Sequence, residues 1–474
     1  MRWNLWEKLE SYCDSNLLWH YRKGFDFLED GDQESSKNFK QLVKTKLEEI
    51  SFLANNSSIN KLNIIIAESN PIDLLAIFIG GIISEVNIFL CDPNWHNKEW
   101  QKVLELVQPD GVFARPQIKK LISEIKTDKL NTGTLKFELL QESLIMIPTG
   151  GTSGKVKFAM HNWSSLSASV AGFGEYFNCQ KINSFCTLPL YHVSGLMQFI
   201  RSFITQGNLI ICPYKIIKEE QLLFNKQDYF ISLVPTQLLL LIESVPSKLK
   251  EFKTVLLGGA SIPRSLLNDA RKKGIPLAPT YGMTETASGV VTLKPEDFLA
   301  GNNSSGQLLP HAEVIIQSAA NDLGLISIKC DSLCLGYYPH AFSKSHLFST
   351  DDLVYFDNQG YLYLVGRNSQ KIITGGENVF PAEVEAAILD TNLVKDVCVI
   401  GVSDRKWGEV VTALYVPFQL KQDLASIKEK TKLQLAKYKQ PKNWIKLNSL
   451  PRNNRGKINY QKVQAIAKQI VNNN

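Results

Sequence analysis

Short β-branched, apolar runs alternate along this chain with segments of helical periodicity, and that rhythm restricts the fold more than any other feature. KLNIIIAES (61–69) and NSFCTLPL (183–190) read as strands, whereas KEWQKVLELV (98–107), opened by Asn97, reads as a helix. Such alternation implies an α/β architecture with mainly parallel or mixed sheets. The sequence carries no repeats, heptads or low-complexity stretch, and the Asn-rich last residues are expected to fray.

One boundary stands out. The strand-like YLYLVGR (361–367) is followed by polar Asn368, Ser369 and Gln370, then by a compact region that reads as a small domain. It runs as a strand, a Gly-Gly turn and a helix begun by Pro381 in its first turn (PAEVEAAIL). Strands VKDVCVIGV and EVVTALYVPF and a long Lys-rich helix follow. The expected division is a large unit, 1–368, and a small α+β unit, 369–474.

Composition sets the class. Of 474 residues, 44% are hydrophobic and 21% charged, ordinary for a water-soluble chain with ample core. The best candidate for a membrane span, Leu74 to Ser84, is short and closed by Asp73 and Glu85, so it reads as core. The start, MRWNLWEKLE, shows no apolar signal region, which leads us to expect a cytoplasmic protein without an integral membrane segment. The eight cysteines include no pair of metal-ligand spacing completed by a second, so reduced thiols are expected. Net charge is +6, concentrated at the end: from Gln370 onward 17 Lys and Arg face nine Asp and Glu. That excess suits a polyphosphate ligand, an acidic membrane or nucleic acid, or a merely solvated face, and decides nothing alone.

Four segments carry chemistry. In the first, IPTGGTSGKVK (147–157), three glycines and three hydroxyl residues bring backbone N–H groups and side chains toward phosphate oxygens while Lys155 adds charge. Apolar LIMI before it and FAMH after it make the loop a connection between two strands, and the plain alternative is an ordinary flexible hairpin. It is no Walker loop: Thr149 stands at the first glycine position, Val156 at the Ser/Thr position, and no helix follows. Lys155 likewise replaces the last glycine of a hydrolase elbow. The second segment, YGMTET (281–286), offers a ring for stacking on a base, a threonine for a phosphate and Glu285 for Mg²⁺. The third, STDDL (349–353) with Arg367 beyond it, puts carboxylates where two ribose hydroxyls can donate. The fourth, LPRNNRGKI (450–458), places Lys457 on a glycine-flanked loop able to reach a site built elsewhere. Each alone also reads as a plain turn or surface loop.

In this order and at these distances the four together resemble the adenylate-forming superfamily of acyl-CoA synthetases, luciferases and peptide-synthetase adenylation domains, from about residue 144 to 458. The resemblance implies a large N-terminal domain of stacked mixed sheets with helices and a small, mobile α+β C-terminal domain. It places ATP phosphates against Thr149, Gly150, Gly151, Thr152, Ser153, Gly154 and Lys155, and adenine beside Gly259, Ala260 and Tyr281. It implies Thr284 as the α-phosphate contact, Glu285 with Thr152 for Mg²⁺, Asp352 with Arg367 for ribose, and Lys457 as the adenylating lysine. GGENVFPAEVE (375–385) resembles the segment near which coenzyme A enters after domain rotation. Three departures are specific to this chain. Gly150 replaces a usual serine, Asp351 a usual glycine, and Ser369–Gln370 a common acidic hinge pair. Asp351 therefore remains an alternative to Asp352.

LPLYHVSGL (188–196), followed by Arg201, most resembles the o-succinylbenzoate–CoA ligases of menaquinone and phylloquinone synthesis, particularly cyanobacterial members. That resemblance implies His192 as a catalytic or substrate contact and Arg201 and Gly282 as substrate contacts, the plain alternatives being a structural histidine and a surface arginine. A dicarboxylate substrate keeps one anion while the other carboxylate is activated, so an arginine or hydroxyl must offset the buried charge. The expected activity is an ATP- and Mg²⁺-dependent acid–coenzyme A ligase working through an acyl-adenylate. Alternatives are a ligase for another aryl or fatty acid, an adenylating enzyme loading a carrier protein, and a catalytically dead nucleotide-binding module. Nucleic acid is not an expected partner, and a homo-oligomer is left open.

Overall fold

The computed structural model describes residues 2–15, 17–20, 33–57, 61–125, 142–150, 156–219, 224–260, 262–317, 323–342, 347–419, 422–452 and 458–471. Two large sheets form its frame. One has seven strands, in spatial order His340–Ala341, Gly336–Tyr337, Val156–His161, Ile145–Gly150, Asn87–Leu90, Asn63–Ala67 and Gly111–Ala114. It is antiparallel at the first end and parallel from Ile145–Gly150 onward. The other has eight, in order Leu18–His20, Leu209–Ile211, Asn183–Cys186, Tyr229–Leu233, Thr254–Leu257, Leu277–Met283, Ser288–Thr292 and Gln307–Leu308. Its first six strands are parallel and its last two run antiparallel.

Continuous apolar runs are what a strand buried on both faces requires, and successive side chains divide between the faces. Ile64 and Ile66 point into the layer of helices Gln33–Asn55, Pro71–Ile83, Trp163–Tyr176 and Val193–Thr205, while Ile65 and Ala67 face helices Asn97–Leu106 and Pro116–Glu124. The eight-stranded sheet does the same. Cys186, Phe230 and Leu256 meet that inner helix layer, whereas Phe185, Ile231 and Val255 meet helices Pro235–Ser244 and Arg264–Lys272. The inner helices thus fill the space between two stacked sheets. The apolar run at 74–84 is the heart of that layer: Leu74 through Ile82 are all buried, in a helix capped by Asn70 and opened by Pro71. Among the described residues no helix is long and apolar enough to cross a membrane, and all eight cysteines are free thiols.

A four-stranded antiparallel sheet, Ala312–Gln317, Gly324–Cys330, Phe348–Phe356 and Leu362–Arg367, packs on Tyr281, Val290 and Val291. Beyond the 3₁₀ turn Asn368–Gln370 stands a separate five-stranded sheet around the long hairpin Val394–Asp404 and Gly408–Pro417. Helices Pro381–Leu389 and Leu424–Lys432 cover one face of it and Tyr460–Val471 the other. Both of its hydrophobic clusters draw only on residues from Ile372 onward.

Two local expectations change. The Lys-rich helix is short, Leu424–Lys432: Leu433 caps it, and the chain turns and continues through the 3₁₀ turn Lys437–Lys439 to Pro441. The YGMTET segment begins inside the strand Leu277–Met283, not on a loop; Pro279 is tolerated there and the register shifts between Tyr281 and Gly282.

Candidate active site

The glycine-rich segment connects two antiparallel strands, with Thr149 opposite Lys157 and Gly150 opposite Val156. Gly151, Thr152, Ser153, Gly154, Lys155 and Lys457 lie outside the described residues. The second strand of this hairpin, Val156–His161, fixes the turn that carries Thr284 and Glu285. At its end, the buried His161 bonds through Nε2 to the Thr284 carbonyl at 2.8 Å and through Nδ1 to the Ser165 hydroxyl at 3.0 Å. A carbonyl only accepts, so Nε2 carries the proton and Nδ1 accepts from Ser165. Burial lowers the His161 pKa to about 4, which keeps the ring neutral. Beside it Tyr337, paired with Ala159 of the same strand, donates its hydroxyl to Glu285 Oε1, and the Cys334 N–H donates to the Glu285 carbonyl at 2.7 Å. Burial and the adjacent Glu285 raise the Tyr337 pKa, so the phenol stays a donor. Among the described residues Glu285 is therefore held by one oxygen, with no partner on the other.

Asp352 and Arg367 face each other across the pair Phe348–Phe356 and Leu362–Arg367. Arg367 Nε donates to Asp352 Oδ1 at 3.2 Å and the Tyr281 hydroxyl to Oδ2 at 2.8 Å, in a site where Asp352 is 7% exposed. Burial and this carboxylate raise the Tyr281 pKa. Asp351 goes elsewhere: its carboxylate accepts from the Ser369 N–H at 3.1 Å and from the Ser369 hydroxyl. The two aspartates are one residue apart and so leave opposite faces of the strand. The Gln370 side chain, next in the turn, lies against the Tyr460 hydroxyl.

Gly282 cannot be replaced, because a Cβ there would lie 2.0 Å from the Ser288 carbonyl oxygen. Gly259, with φ +84°, and the exposed Ala260 follow the strand Thr254–Leu257 at the same end of the sheet as the Tyr281 strand's exit. A left-handed backbone of this kind is open to glycine without strain.

The helix Val193–Thr205 begins just after His192, whose ring meets Tyr191 edge-on with centroids 4.6 Å apart. Two turns on, Arg201 is buried at 7% exposure, its guanidinium 4.0 Å from the Phe173 ring centroid and donating to Ser288 Oγ at 2.9 Å. Ser288 (φ 102°) and Ala287 (φ 49°) are both left-handed, a strained backbone that turns Ser288 toward this arginine. Burial lowers the Arg201 pKa to about 10, and no carboxylate among the described residues pairs with it. Among the described residues, its Nε and both ring nitrogens of neighbouring His311 have no hydrogen-bond partner.

The structure thus brings together Tyr281, Asp352 and Arg367 in one network, and Thr284 and Glu285 on one turn. It ties Arg201 to the same region through Ser288. Sequence reasoning missed His161, Tyr337, Ser288 and His311. His161 closes the strand after the glycine loop, but nothing local marks it; its partner is 123 residues away. Tyr337 follows the same pattern, 52 residues from Glu285.

Comparison with known proteins converges on one family. A model described as "AMP-binding enzyme" matches residues 60–338, and one described as "AMP-binding enzyme C-terminal domain" matches 383–457. A 2-succinylbenzoate–CoA ligase of Oceanobacillus iheyensis is 34% identical over 355 residues, 71% of this chain and 72% of the relative. The enzyme of that description from Bacillus subtilis is 30% identical, covering 78% and 76%. Among solved structures, the Bacillus subtilis o-succinylbenzoate CoA synthetase in complex with its acyl-adenylate intermediate aligns over 96% of this chain and 98% of that one, with TM-score 0.79 at 23% identity. An ATP-bound enzyme from Rhodopseudomonas palustris aligns over 99% and 100% with TM-score 0.77 at 20% identity. With a family model matched over more than half its length and relatives at 30% identity or above over most of theirs, this chain belongs to the AMP-binding enzyme family.

Proposed function

We propose that this protein is an ATP-dependent acid–coenzyme A ligase that converts o-succinylbenzoate, through its acyl-adenylate, to the coenzyme A thioester with release of AMP and pyrophosphate. The observation that carries the reading is the Tyr281–Asp352–Arg367 network beside the Thr284–Glu285 turn. It presents a ring, a carboxylate and a phosphate-side acid to a nucleotide. The 2-succinylbenzoate ligases similar to this chain, and the neighbours solved with an acyl-adenylate and with ATP and magnesium, support the substrate and the cosubstrates.

In this reading Asp352 accepts from the ribose hydroxyls while Arg367 holds it in place, and Tyr281 stacks on adenine beside Gly259 and Ala260. Thr149 to Lys155 cradle the phosphates and Thr284 meets the α-phosphate. The substrate carboxylate attacks the α-phosphorus, forming a mixed anhydride as the bond to pyrophosphate breaks. The coenzyme A thiol then attacks the acyl carbon, its proton leaves to solvent, and AMP departs. No protein nucleophile is needed, and bound geometry supplies much of the rate. Glu285, with its one uncommitted oxygen, and Thr152 suit Mg²⁺, which takes few protein ligands and completes its shell with phosphates and waters. When bound it offsets the charge on the phosphates. Lys457 offsets the charge that shifts onto pyrophosphate. Gly282 lines the acyl side, His192 gates it, and Arg201, buried without a carboxylate partner, compensates the substrate's second carboxylate.

The reading also divides the chain at 368/369, with the small unit turning about Ser369–Gln370 between the half-reactions. Two hydrophobic clusters confined to residues beyond 371 and a separate family match from 383 support that division. A cytoplasmic location fits this chemistry.

The test is pyrophosphate release with ATP and Mg²⁺ over a panel of acids, repeated with coenzyme A. Turnover with o-succinylbenzoate, yielding its thioester, is expected. Turnover only with benzoates or fatty acids overturns the substrate, and an adenylate that transfers only to a carrier protein overturns the acceptor.

A further inference from the structure

Beside Arg201 lies a histidine that the chemistry above leaves without a task. His311 sits at the entry to the strand Ala312–Gln317, its ring packed so closely on the helix Trp163–Tyr176 that a Cβ at Gly172 would come 1.8 Å from Nδ1. Phe173, the next residue, carries the Arg201 guanidinium on its face. Both ring nitrogens are buried, yet among the described residues neither has a partner, and Arg201 Nε is buried without one as well. Leaving such atoms unpaired costs about 1–3 kcal/mol each. Among the described residues, unpaired Arg201 Nε and His311 ring nitrogens lie near a cation that no carboxylate neutralises, a lining that suits an anion from outside the chain.

We propose that His311 is a substrate-contact and specificity-determining residue that, with Arg201, receives the second carboxylate of the acid substrate and takes up a proton when the dianion binds. This rests on the dicarboxylate reading of the site. Without substrate the ring is neutral: burial first, and Arg201 in addition, lower its pKa to about 4, against which Asp331 pulls upward. A carboxylate placed between the ring and Arg201 reverses that balance, because an opposite charge in contact favours the imidazolium. The neutral ring also avoids two buried cations near each other.

The experiment compares o-succinylbenzoate with 4-oxo-4-phenylbutanoate, the same acid without the ring carboxylate, in wild type, His311→Gln and His311→Leu, with folding checked by thermal melting. Loss of a hydrogen bond to a charged group predicts a KM for o-succinylbenzoate raised about tenfold or more in His311→Leu, with the monoacid nearly unchanged. In wild type the diacid KM rises with pH as the bound ring loses its proton; in His311→Gln, which donates but cannot ionise, that dependence disappears. A folded variant whose two KM values move together, or whose diacid profile keeps its pH dependence, overturns the proposal. A wild type that uses the monoacid as well as the diacid overturns the dicarboxylate reading itself.

Discussion

Asp351 and Asp352 are adjacent carboxylates turned to different partners, so one pair of substitutions tests the site's central geometry. Asp352→Asn preserves shape but removes the charge that Tyr281 and Arg367 donate to at 2.8 and 3.2 Å. Hydrogen bonds to a charged group contribute about 1.5–3 kcal/mol against about 0.5–1.5 for neutral ones. The amide also turns a donor toward one of two donors. The unliganded protein should therefore lose about 2–3 kcal/mol. The ribose hydroxyls meet the same deficit, so the KM for ATP should rise by about ten- to a hundredfold, at about 1.4 kcal/mol per decade. Asp351→Asn touches only the Ser369 interaction on the exposed side, worth about 1 kcal/mol or less, and its KM for ATP should change by no more than a few fold. ATP dependence of pyrophosphate release, with melting curves for both variants, reads these effects. An Asp351→Asn enzyme that loses ATP affinity as severely as Asp352→Asn would refute the assignment.

Glu285→Gln keeps the Tyr337 hydrogen bond but not the charge, so pyrophosphate release should fall about a hundredfold or more and recover in part at high Mg²⁺; an unaltered Mg²⁺ dependence would remove Glu285 from the metal site. His161 supplies a pH effect on stability. Its folded value, about 4, is depressed below the unfolded 6.5, so its contribution is complete above pH 6.5 and is lost as pH falls toward 4. The full loss is about 3 kcal/mol. Denaturant titrations between pH 7.5 and 4.5 should show a shallower fall in His161→Gln than in wild type, and equal slopes would contradict a buried neutral ring.

What the sequence made legible was whatever local chemistry marks. The double-faced strands announced themselves through unbroken apolar runs such as Asn63–Ala67, and the helix at Pro381–Leu389 through its leading proline. The glycine loop showed as a strand connection because Gly, Ser and Thr interrupt two apolar runs. What stayed hidden depends on partners far apart in the chain. His161 and Tyr337 matter only because folding puts the strand Val156–His161 under the Thr284–Glu285 turn, and His311 only because Gly172 leaves room for its ring. The ambiguity between Asp351 and Asp352 was of this kind too. Both suit a ribose by type, and strand alternation sends Asp352 to Tyr281 and Asp351 to Ser369. That division gives two of the departures from the family pattern, Asp351 and the Ser369–Gln370 pair, a common logic at the hinge. Where an acidic pair is usual, this chain has neutral Ser369 and Gln370, and each finds its partner from outside the turn, Asp351 on one side and Tyr460 on the other. On the rotation proposed above, the Ser369 contact with Asp351 of the large unit would break, while Gln370 and Tyr460 would travel together with the small one.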